Sequence, residues 1–123
     1  MHLPRIHKGN VAEFLNEKEI VQETADQIIK DFALFGLTIT FSGNTLTAYH
    51  ELFQQLKEQV QILANRDYQK LLSVLYQVDI SDKELARGGE ELPEYGPIEI
   101  IAHQIIVRDL KKVLTRHYFK NNQ

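Results

Sequence analysis

Cysteine and tryptophan are absent from this 123-residue chain, and proline occurs three times and methionine once. Without cysteine there can be no disulfide, thiolate nucleophile or thiolate metal site, which fits a reducing compartment, and the expected location is cytoplasmic. Serine is scarce too: Ser42, Ser73 and Ser81 are the only ones, and none stands in a Gly-x-Ser-x-Gly elbow. No phosphate loop of the Gly-x-x-x-x-Gly-Lys kind is present, and no Gly-x-Gly-x-x-Gly turn follows a strand.

Charge of either sign is missing between Asp31 and Glu51, a run of 19 residues in a chain that is 25% charged. The run approaches the length of a membrane span. It nevertheless contains Gly36, Ser42, Gly43, Asn44 and four threonines, whose polar groups would go unsatisfied in lipid, so no membrane segment is expected. The basic start around Arg5 and Lys8 likewise lacks the apolar core of a signal peptide before Glu13.

Net charge is -3, with nine acids and nine bases in residues 61–123, and a dedicated nucleic-acid binder would carry a clearly positive face. Acids gather in 82–99 and bases in 108–120, as the helix dipole favours at helix starts and ends. Phosphate contact through Arg108, Lys112 and Arg116 is the disfavoured rival explanation. The length suits a single domain over 1–123 able to bury a core unaided.

Helical periodicity dominates. Asn10 is a good cap for a first helix running to about Phe35, where Gly36 supplies the left-handed end. Val11, Phe14, Val21, Ala25, Ile28, Phe32 and Phe35 form a narrow apolar seam along it, like that of a coiled coil. A second helix, capped by Asn44, Thr45 or Thr47, extends to about Ala64 and turns Tyr49, Leu52, Phe53, Leu56, Val60 and Leu63 inward. A third starts at Asn65 or Asp67. Ser81 and Glu84 make a capping box for a short fourth helix, which Gly88-Gly89 should stop near Arg87. An acidic exposed loop over 88–97 then leads to Pro97, the first position of a last helix that reaches Phe119 and belongs at the centre, being apolar almost all round from Ile98 to Val107. The fold class is therefore an all-α bundle of four to five helices, with an N-terminal arm over 1–9.

One segment does not fit. Leu37, Ile39 and Phe41 alternate with Thr38 and Thr40, the pattern of a half-buried strand, yet no second strand follows. Its backbone groups need partners. The arm at Leu3 to Ile6 is one candidate, and the same segment of a second subunit is the other. Pro4 lacks an N–H and tilts the choice to the second subunit, which predicts an interface of Phe35, Leu37, Ile39 and Phe41. The leading functional expectation is a non-catalytic binding or protein-interaction module acting as a homodimer.

Candidate chemistry centres on Glu99 and His103, four residues apart on one face of the last helix. A desolvated carboxylate beside an imidazole could act as a general base or as two metal ligands, the alternative being a structural pair. No third ligand is within reach on that helix, since His117 lies about 21 Å further along the axis. No cofactor or metal is expected on this pattern. Tyr95 and Leu92, in the acidic loop, either contact a basic partner or pack down to pin the loop.

Overall fold

The computed structural model describes the chain from Glu17 to Asn121, and within those residues it is all-α, with five helices and no β-strand. The arm, the cap at Asn10 and the seam residues Val11 and Phe14 lie outside the described residues. α1 spans Lys18–Ala33, α2 Ala48–Arg66, α3 Tyr68–Val78, α4 Asp82–Glu91 and α5 Pro97–Asn121. A single 3-10 turn, Thr45–Thr47, leads into α2.

Local chemistry sets the ends of these elements. Asn44 accepts from the Leu46 N–H at the start of the 3-10 turn, and Asp67 accepts from the Lys70 N–H at the start of α3. Ser81 and Glu84 form both halves of the expected capping box on α4. At the end of α1 the Leu37 N–H donates to the Phe32 carbonyl and the Gly36 N–H to the Ala33 carbonyl, around Gly36 at φ +73°. Asp79, at φ 72°, ends α3 in the same way.

α5 is the axis of the bundle. α1, α2, α3 and α4 all pack on it, and Ala102, Ile105, Ile106, Val107, Leu110 and Val113 are buried along its length. α1 runs antiparallel to it, because Asp31 faces Lys112 while Gln27 meets Arg116 and Glu23 meets His117. The buried face of α1 is broader than the expected seam: Ile20, Val21, Thr24, Ala25, Ile28, Asp31 and Phe32 are all covered.

One sequence expectation needs correction. Gly88 and Gly89 do not stop α4, which continues through them to Glu91 and shortens the acidic loop to the few residues before Pro97. Gly88 is buried where α4 crosses α5, and a Cβ there would come within 2.6 Å of Gln104 Nε2 and 3.0 Å of Ile100 Cγ2. The missing side chain allows close helix contact, and neither glycine has the positive φ of a helix stop. Residues 37–41 belong to no helix and join no strand among the described residues, in keeping with a segment that has no second strand to follow it.

Side chains of α2 answer part of that backbone. The Thr40 N–H donates to Gln55 Oε1 (2.9 Å), Gln55 Nε2 donates back to the Thr40 carbonyl (2.7 Å), and the Ser42 N–H donates to Glu51 Oε1 (2.7 Å). A carboxamide carries both N–H donors and a carbonyl acceptor, so Gln55 can answer the N–H and the C=O of Thr40 together, as a neighbouring strand residue would.

Candidate functional site

The extended segment turns its apolar side inward. Ile39 is buried in the core and Phe35, Leu37 and Phe41 pack half-buried against it. Lys70 Nζ reaches the Phe35 carbonyl, which ties the end of α1 to the first turn of α3.

Glu99 and His103 are given separate work. Glu99 is the third residue of α5, and its Oε1 accepts from the Gly96 N–H at 2.9 Å, capping the helix start. His103 is one turn deeper and 2% exposed, with its Nδ1 hydrogen-bonded to the Tyr49 hydroxyl at 2.6 Å. The rings of Tyr49 and Tyr95 meet it edge-on, Tyr49 stacks on Phe53, and Phe53 touches Tyr95. Burial, with Tyr95 beside it, pushes the Tyr49 phenol well above its ordinary range and holds it neutral. Tyr95 is half-buried against this cluster and Leu92, at the end of α4, is itself buried, so both side chains of the loop turn inward.

A second polar group lies in the α1–α5 seam. Asp31 is 2% exposed and Asp109 fully buried, and the two carboxyl groups face the same ammonium, that of Lys112. Lys112 Nζ approaches Asp109 Oδ1 at 3.2 Å and Asp31 Oδ2 at 4.0 Å, while Gln27 Nε2 donates to Asp31 Oδ1 at 3.0 Å. Burial first, then the neighbouring Asp31, push the Asp109 carboxyl up to about 8, against the downward pull of Lys112. The sequence carried a signal for this pair: each aspartate interrupts a buried apolar face, Asp31 among Ile28 and Phe32, and Asp109 among Ile105, Ile106 and Val113.

At the open surface, Glu19 and Glu23 of α1 meet His117 of α5, with ligand-type atoms within 4.8 Å of one another. Within this grouping the His117 imidazole contacts the Glu23 carboxylate directly, joining α1 to α5. A groove of about 590 Å³ runs between α2 and the start of α5, lined mainly by Gln54, Lys57, Glu58, Gln61, Pro97 and Glu99. The outer face of α3 is different in kind. Tyr68, Leu72 and Tyr76, at successive four-residue steps, are 58%, 43% and 88% exposed, while Leu71, Val74, Leu75 and Val78 on the opposite side are buried.

Arg108 of the basic run is paired with Asp79 (2.8 Å), and Arg116 donates to Gln27. With Lys112 in the buried seam, the three bases proposed for phosphate contact each have an intramolecular partner. Among the described residues no helix is long and apolar enough to cross a membrane. No known family model, curated protein or solved structure matches the chain.

Proposed function

We propose that the protein is a binding module that associates with a second copy of itself through the outer face of α3, working as a non-catalytic homodimer. The observation that carries this reading is the exposed Tyr68-Leu72-Tyr76 stripe on a helix whose other side is fully seated in the core. Aromatic anchors of this kind concentrate at the centres of interfaces. The rest of that face, Gln69, Ser73 and Gln77, carries no charge. In a two-fold dimer the same patch meets itself, so any charge at its centre would face its own copy; a neutral stripe escapes that repulsion. Phe35, Leu37 and Phe41 are half-buried, and Lys70 links the end of α1 to this helix, so those residues can contribute at the rim. Ile39, being buried in its own subunit, supports the core instead.

Light scattering across the micromolar range tests the proposal. Wild-type protein is expected to approach twice the monomer mass, and the Leu72→Lys/Tyr76→Lys variant to stay monomeric with an unchanged helical circular dichroism spectrum. A wild type that remains monomeric throughout, or a variant that dimerises equally well, would refute it.

A further inference from the structure

We propose that Asp31 and Asp109 share a single proton, and that this proton is an alkali-sensitive latch holding α1 against α5. Charge arithmetic in the seam carries the inference. Two carboxyl groups, 2% and 0% exposed, face a single ammonium, Lys112, at 4.0 and 3.2 Å. One ammonium balances one carboxylate; a second ionised carboxylate would leave an uncompensated charge in the core. Among the described residues no protein donor hydrogen-bonds Asp31 Oδ2 or either oxygen of Asp109, so a proton on one carboxyl is the group left to offset the second buried charge. Among the described residues, the neighbouring arginines of α5 are engaged elsewhere: Arg108, one residue before Asp109, pairs with Asp79 at the end of α3, and Arg116, about two turns after it, donates to Gln27. Gln27, the remaining polar neighbour from α1, is neutral and donates to Asp31.

The direction of the pH effect follows. The Asp109 carboxyl is raised from 3.8 to about 8, so between those values the folded chain keeps a proton that the unfolded chain has released. Stability therefore falls as pH rises through this window, by up to tenfold in the folding constant per pH unit, and levels off above it. Lys112, whose side chain is 22% exposed, gives the buried pair an edge to solvent through which the proton can leave.

Urea denaturation of the full chain at a series of pH values from about 5 to 10 tests the latch by comparing wild type with Asp109→Asn and Asp31→Asn. Each variant keeps one carboxylate opposite Lys112 and needs no proton, so each is expected to lose the decline between about pH 5 and 8 and to exceed wild type in stability above pH 8. Infrared spectroscopy of the wild type supplies a readout independent of any variant folding: a protonated-carboxyl band is expected near neutrality and lost above pH 8. Parallel pH profiles in all three proteins, or a wild type without that band at neutrality, would overturn the proposal.

Discussion

Tyr49 and Gln55 are single residues on which whole elements depend. Tyr49→Phe removes the hydrogen bond to a ring nitrogen of the buried His103, and the expected loss is about 1–3 kcal/mol in urea denaturation. Gln55→Ala removes both bonds to the Thr40 peptide unit, with an expected cost of about 1–2 kcal/mol and faster amide exchange at Thr40. At this scale the sequence is legible where chemistry is local. Ser81 and Glu84, three residues apart, announce their own capping box. Spacing alone also places Glu99 and His103 on one face, but says nothing of Gly96 or Tyr49, the groups they bond. The Asp31–Asp109 pair is 78 positions apart in sequence, and only the interruption of two apolar faces hints at it.

At the scale of the element, α4 carries the plainest test. Gly89 has only Ile100 Cδ1 near a built Cβ, at 3.7 Å, so Gly89→Ala meets ordinary contact and gains helix propensity. It is expected to stabilise the protein by roughly 0.5–1 kcal/mol. Gly88→Val forces a branched side chain into Gln104 and Ile100 and is expected to cost about 1–3 kcal/mol or more, both changes being read as shifts in the denaturation midpoint. Helix identity in this chain is readable from period and caps: Asp67, Ser81 and Pro97 all stand where an element begins. The glycine pair misleads because the same residue serves as a stop and as a point of close approach, and the distinction depends on α5, which lies elsewhere in the sequence. Residues 37–41 are legible in part. Alternation reports one buried side, and Ile39 is indeed buried, but it cannot report that α2 side chains supply hydrogen bonds to Thr40 and Ser42.

At the scale of the molecule, four helices pack on α5 among the described residues, and the all-round apolar character of its first half already places it there. The surface is less legible. Tyr68, Leu72 and Tyr76 look like core residues in sequence, since a helix apolar on two sides gives no sign of which side the bundle covers. Self-association through that exposed side is the proposed function, and concentration-dependent amide shifts in nuclear magnetic resonance spectra test it residue by residue. Between dilute and concentrated samples, the shifts are predicted to concentrate in Tyr68–Val78, with smaller changes near Phe35. Spectra that do not change with concentration, or changes centred on residues 37–41, would contradict it.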